Sequence, residues 1–191
     1  MADITLVNLN MLYLRYRAYV EKEVHTPLGC LYLISALEKS GLNVDFRDYQ
    51  LNEYADPFLE ENFLDFIKDP SDIIGFSCMA NLLPFTLLMM RAVKEKYPEK
   101  TLILGGVGPK AVEKMIMQRF GFVDIIGKGE GEEYVPLLVR TLRSKGVLSK
   151  VPGILYRENG QVLENPRPDR IAALDKIPLP AFDRIDLKKY K

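Results

Sequence analysis

The sequence predicts an α/β protein built on a parallel sheet. Three observations carry this. Short apolar, β-branched runs recur along the chain, such as Thr101–Leu104 and the DIIGFSC run of 72–78. Each has the length of a strand buried on both faces. Between them lie segments with apolar residues at helical spacing. The strand ends also break into glycine, proline or polar corners, most plainly at TLILGGVGP, Thr101–Pro109. Strands alternating with helices in this way predict parallel βαβ units.

The elements follow in order. Asp3–Asn10 reads as the first strand, and Asn8 and Asn10 end it in polar side chains. Met11–His25 is an insertion longer than the ~2–6 residues usual between strand and helix. It carries Tyr13, Tyr16 and Tyr19 with Arg15 and Arg17 between them, the pattern of a short amphipathic helix. Thr26 and Pro27 read as a cap and first turn. They open the helix PLGCLYLISALEKS, which stops at Gly41. Asn43–Tyr49 alternates as a second strand. Asp56–Lys68 reads as a helix with Phe58, Leu59, Phe63, Phe66 and Ile67 on a face. The third strand is Asp72–Cys78, and a helix runs on to Tyr97 before Pro98. The fourth strand is the Thr101 run, followed by a helix Pro109–Phe120. Phe122–Ile126 reads as the fifth strand, and the last helix spans about Tyr134–Ser144 with Pro136 in its first turn.

Five strands and five helices suit a flavodoxin-like (Rossmann-like) three-layer sandwich with a five-stranded parallel sheet in order 2-1-3-4-5. In such sheets ligands bind beyond the strand C-terminal ends at the switch between strands one and three. That brings together four corners: Asn8–Gly29, Ser77–Leu83, Gly105–Pro109 and Gly127–Glu133. Beyond 149 the character changes. Gly153–Tyr156 and Gln161–Glu164 read as a β-hairpin joined at Asn159-Gly160. Pro166, Pro168, Pro178 and Pro180 then punctuate an extended tail. The organisation read from this is a domain at 1–149 and a hairpin and connector at 150–191.

Composition excludes several classes of function. The 191 residues carry zero formal net charge, which argues against a nucleic-acid partner. No apolar run approaches the ~18 residues of a membrane span, and the two cysteines, Cys30 and Cys78, lack metal spacing. A cytoplasmic location is the expectation. A single histidine, His25, limits acid–base chemistry, and no catalytic constellation emerges. Cys78 reads as a buried small residue. The Gly127-Lys128-Gly129-Glu130-Gly131 run follows the last strand, the wrong place for a dinucleotide fingerprint.

Six segments in order, PLGCLYLISALEKSG, DIIGFSCMAN, LILGGVGP, VDIIGKGEGEE, VPGILYRENGQ and IPLPAFDRIDLKKY, resemble the N-terminal cobalamin-binding region of B12-dependent radical SAM enzymes. The resemblance covers nearly the whole chain. It implies a corrin ring over the strand ends and a nucleotide tail descending beside strands three, four and five. It implies cofactor contacts at Leu28 and Gly29, at Ser77, Cys78 and Met79, at Gly105, Gly106 and Gly108, and at Gly127, Gly129, Glu130 and Gly131. It also implies a following radical SAM domain in the same polypeptide, holding a [4Fe–4S] cluster and S-adenosylmethionine. The Cys-x-x-x-Cys-x-x-Cys motif of that domain is absent from these residues. The fragment itself would have no turnover, while its parent would catalyse methyl transfer or ring formation.

One departure concerns the metal. Methionine-synthase-like B12 domains carry Asp-x-His-x-x-Gly, whose histidine ligates cobalt. Here Glu23-Val24-His25-Thr26-Pro27-Leu28-Gly29 puts the glycine one place further on. His25 stands in the right loop to ligate cobalt, and the other reading is a solvated loop histidine. Two further functions fit the same residues. One is a cofactor-free B12-like domain for substrate recognition or scaffolding, with the tyrosines of the insertion filling the pocket. The other is a flavin- or nucleotide-binding flavodoxin-like domain.

Overall fold

A computed structural model describes residues 2–11, 24–167 and 177–190. One sheet runs through it in the order β2-β1-β3-β4-β5-β6-β7. Its strands are β1 Ile4–Asn8, β2 Val44–Asp48, β3 Ile73–Ser77, β4 Thr101–Gly105, β5 Ile125–Gly127, β6 Ile154–Glu158 and β7 Gln161–Glu164. The first five are parallel to one another. The sheet therefore has seven strands, which corrects the five-stranded expectation. β5 is only three residues long, and its outer edge offers unpaired backbone groups. β6 satisfies them by pairing antiparallel, Ile126 opposite Leu155, and β7 follows through the hairpin. Asn159 and Gly160 both take positive φ, 50° and 78°, as a two-residue turn of the favoured hand requires.

Side chains alternate across the sheet, and both faces are covered. Val7, Ile74, Phe76, Leu102, Leu104 and Ile126 meet helices α2 (Glu60–Phe66), α3 (Leu83–Lys96) and α4 (Glu113–Arg119). Ile4, Leu6, Ile73, Ile103 and Ile125 meet helices α1 (Leu28–Lys39) and α5 (Gly131–Arg143) on the other face. Leu31, Ile34 and Leu37 of α1 are fully buried there, each burial contributing ~1.5–3 kcal/mol.

Several element ends differ from the sequence reading. Pro27 is itself the residue before α1, and no side chain caps that helix. Helix α2 begins at Glu60, because Asp56–Leu59 make a separate turn in which the Asp56 side chain accepts from the Phe58 amide, 2.9 Å. Helix α4 begins at Glu113 rather than Pro109, since Ala111 stands at φ 75° and interrupts the helical backbone. Helix α5 begins at Gly131, which leaves Pro136 inside it rather than in its first turn.

The segment 177–190 lies along α1. Ser35 Oγ donates to the Leu179 carbonyl at 2.6 Å, and the Ala181 amide donates to the Leu31 carbonyl at 3.2 Å. Arg184 donates to the Val44 carbonyl at 3.0 Å and pairs with Glu38 at 3.4 Å. No helix among the described residues is long and apolar enough to cross a membrane.

Candidate functional site

The site begins with a missing side chain. Strand register aligns Leu6 of β1, Gly75 of β3 and Ile103 of β4 in one row. All three stand on the face covered by α1 and α5. Leu6 and Ile103 fill their places, and Gly75 leaves its own empty. A Cβ built there would sit 3.4 Å from the tips of Ile4 and Leu6 and would point into the gap. The result is a cleft of about 520 Å³ between sheet and helices, within the range of roughly 300–1,000 Å³ typical of cofactor sites.

Glycines interleaved with larger apolar side chains form its walls. Gly29, Cys30 and Leu33 line it from α1, and Gly131, Tyr134 and Val135 from α5. At the strand C-terminal ends it opens between Ser77, Gly105, Gly106 and Val107. The α5 end is acidic. Burial raises the Glu132 carboxyl, and the neighbouring Glu130 and Glu133 push the same way. The Tyr134 phenol is raised by burial and then by Glu132 and Glu130, so it stays protonated. A Cβ on Gly127 would strike the hydroxyl end of this tyrosine. Lys128 on the rim is held by Glu164, which also pairs with Lys114 at 2.8 Å. Those two lysines hold the Glu164 carboxyl down to about 2.

The residues named from the sequence distribute as follows. Gly29, Ser77, Gly105, Gly106, Gly127, Gly129, Glu130 and Gly131 line the cleft. Leu28 and Met79 are exposed on the neighbouring rim, 46% and 36% accessible. Cys78 and Gly108 lie outside the lining and pack on each other, the Gly108 amide donating to the Cys78 carbonyl at 2.8 Å. His25 is exposed and outside the lining, and its backbone amide and carbonyl both bond the Gln50 side chain. The tyrosines of the scaffolding alternative, Tyr13, Tyr16 and Tyr19, lie outside the described residues. Sequence reasoning missed Gly75 and Tyr134. The signal for Gly75 was present, since a glycine inside a strand marks a close approach.

Neither thiol is prepared for chemistry. Burial pushes Cys30 up to about 12 against a Ser77 hydrogen bond, and pushes Cys78 up to about 11. Alkylation by iodoacetamide at pH 8 is expected to run at least ~10-fold slower in the folded chain than in urea, because little thiolate exists. Equal rates in the two states would contradict this. No group of three or more candidate metal ligands occurs among the described residues.

Residues 17–139 match the model of a protein family described as B12 binding domain. The chain belongs to the B12-binding domain family. The α/β sandwich with its cleft at the strand ends is thus the Rossmann-like fold of that family, whose cofactor is cobalamin. Among relatives of this B12-binding domain, an anaerobic magnesium-protoporphyrin IX monomethyl ester cyclase of Synechocystis sp. is 28% identical over 171 residues, 90% of this chain and 34% of the relative. A hopanoid C-3 methylase of Methylococcus capsulatus is 32% identical over 168 residues, 86% of this chain and 30% of the relative. The domain spans about a third of the length of such relatives. A solved structure of the cobalamin-dependent S-adenosylmethionine radical enzyme OxsB, with aqua-cobalamin and S-adenosylmethionine bound, shares the fold. Its TM-score is 0.70 at 24% identity, over 94% of this chain and 24% of that one.

Proposed function

We propose that this B12-binding domain holds cobalamin with its corrin over the strand C-terminal ends and its nucleotide tail in the cleft. We further propose that it serves a radical SAM domain of the same polypeptide. The observation that carries the first part is the Leu6–Gly75–Ile103 row, in which one absent side chain opens a slot under α1 and α5. The walls suit a flat, bulky ligand. Gly29 and Gly129 have nothing within 4 Å of a built Cβ, and Gly105 meets only a carbonyl at 3.8 Å. Apolar Leu6, Ile103, Leu33 and Val135 offer contact to an aromatic base, and Ser77 offers a hydroxyl at the slot's mouth. Exposed Leu28 and Met79 offer apolar contact to the corrin. Cys78 and Gly108 support that surface from beneath rather than touch the ligand.

Bound cobalamin supplies a cobalt that can carry a methyl group. The domain's own residues bind it, orient it and shield its tail from water. The parent enzyme would add a [4Fe–4S] cluster and S-adenosylmethionine in its second domain. Its reaction would be methyl transfer or ring formation, the reactions in the names of the cyclase and methylase relatives. Within this chain 1–149 would be the cofactor-binding part and 150–191 the connector.

The test is direct. The chain is incubated with hydroxocobalamin, desalted, and its visible spectrum recorded. About one equivalent of retained corrinoid is expected, and a colourless protein would overturn the reading. Running His25→Ala alongside decides the metal ligand. An altered spectrum assigns His25 to cobalt, whereas an unchanged one leaves cobalt without a protein imidazole.

A further inference from the structure

Asp48 ends β2 as a buried carboxylate, 7% exposed, and no cation pairs with it among the described residues. Hydrogen-bond donors alone hold it. Oδ1 accepts from Asn8 Nδ2 at 2.9 Å and from the Gln50 amide at 3.1 Å. Gln50 Nε2 donates to both oxygens, at 3.2 and 3.1 Å. The Tyr190 hydroxyl donates to Oδ2 at 2.9 Å. A buried charge satisfied in this way depends on each donor.

The same network reaches both loops beside the cleft mouth. On one side Asn10 Nδ2 donates to Asn8 Oδ1 at 2.7 Å, and Asn10 Oδ1 accepts from the Met79 amide at 2.9 Å. That fixes the backbone just after β3, next to Ser77. On the other side Gln50 accepts from the His25 amide at 3.1 Å and donates to the His25 carbonyl at 3.0 Å. That fixes the chain leading into α1, where Leu28 and Gly29 stand. Segment 177–190 needs none of this to lie along α1, because Leu179, Ala181 and Arg184 already fasten it there. The Tyr190 hydroxyl reaches past those contacts to Asp48.

We propose that Tyr190 is a positioning residue for the cobalamin site: through Asp48 it locks the Met79 loop and the His25–Gly29 loop in the geometry that closes around the cofactor. The effect on cofactor retention rests on the cobalamin reading above, and the effect on the loops does not. The C-terminal segment thereby becomes part of the site without touching the ligand.

The experiment uses the whole chain loaded with hydroxocobalamin. Tyr190→Phe removes one hydroxyl and keeps the ring. Cobalamin release is expected to run about 5–20-fold faster, as loss of a hydrogen bond to a charged group partly transmitted to the rim would give. Combining Tyr190→Phe with Asp48→Asn is expected to release no faster than Asp48→Asn alone, since both act through one contact. Arg184→Ala loosens the same segment on α1 without touching Asp48, and its release rate is expected to stay within about twofold of the parent. In the cofactor-free chain, amide exchange of 25–29 and 79–82 is expected to accelerate in Tyr190→Phe. Release rates that multiply in the double variant, an Arg184→Ala effect as large as that of Tyr190→Phe, or unchanged rim exchange would each overturn the proposal. If the parent chain retains no cobalamin, the binding reading fails, and the exchange measurement still decides whether Tyr190 orders the rim.

Discussion

Gly75→Leu is expected to abolish cobalamin binding while leaving the sheet folded. The new side chain would occupy the slot between Leu6 and Ile103, which lines the cleft floor. Overpacking a deformable core costs ~1–3 kcal/mol. A rigid ligand in a slot of fixed width has less room to adjust, so binding should weaken about 100-fold or more. The fold should tolerate the change. The Cβ would meet only the Ile4 and Leu6 side-chain tips at 3.4 Å, and replacing glycine in a strand recovers ~0.5–1 kcal/mol. Titration with hydroxocobalamin and urea unfolding together check this. Parent-like affinity in a folded leucine variant would mean that the slot is not where the tail goes.

The second large effect concerns stability. Gly106→Ala is expected to destabilise the fold by about 2–5 kcal/mol, summing a left-handed backbone penalty and a core clash. Gly106 stands at φ 84°, and a Cβ there would lie 2.5 Å from the Cys78 carbonyl oxygen and 2.9 Å from the Cys78 amide nitrogen. These are backbone atoms tied on both sides. The Cys78 amide donates to Gly105 at 3.2 Å, and its carbonyl accepts from Gly108 at 2.8 Å. Neither can move without breaking the junction of β3 and β4. Gly129→Ala is the control, since φ is 91° but nothing lies within 4 Å of its Cβ. It should cost only the backbone penalty, about 1–2 kcal/mol. The urea midpoints should separate the two variants with unchanged slopes. Equal midpoints would remove the clash from the explanation.

The corner that holds Gly106 also shows what kind of information a sequence holds. Read along the chain, Gly105, Gly106 and Gly108 are one corner that suggests a ligand. Folded, they divide. Gly105 and Gly106 line the cleft, Gly106 also makes room for Cys78, and Gly108 lies outside the lining, close against Cys78 and Met79. Gly127 lines the cleft as well, and its missing Cβ leaves room for the Tyr134 hydroxyl. A glycine in a sequence announces that something comes close, and only the neighbouring strand or helix says what. Gly75 is the converse case. It sat inside an apolar run that read as an ordinary buried strand, and its role comes from Leu6 and Ile103, residues 69 and 28 positions away by the numbering.

The strand and helix alternation, the polar and glycine corners and the Asn-Gly hairpin were all legible locally. They depend on side-chain periodicity and on backbone preferences that act within a few residues. The clustering of those corners at one rim followed as well, because parallel strands joined by helices must all end on the same side. Pairing across the sheet edges was not legible. The exposed edge of short β5 recruited β6 and carried the hairpin into the sheet, a choice made by unpaired backbone groups that no sequence pattern marks. The same holds for Asp48 and Tyr190, 142 positions apart, which meet because the C-terminal segment runs back along α1. Contacts between distant positions depend on how layers stack, and stacking is decided only when the whole core closes.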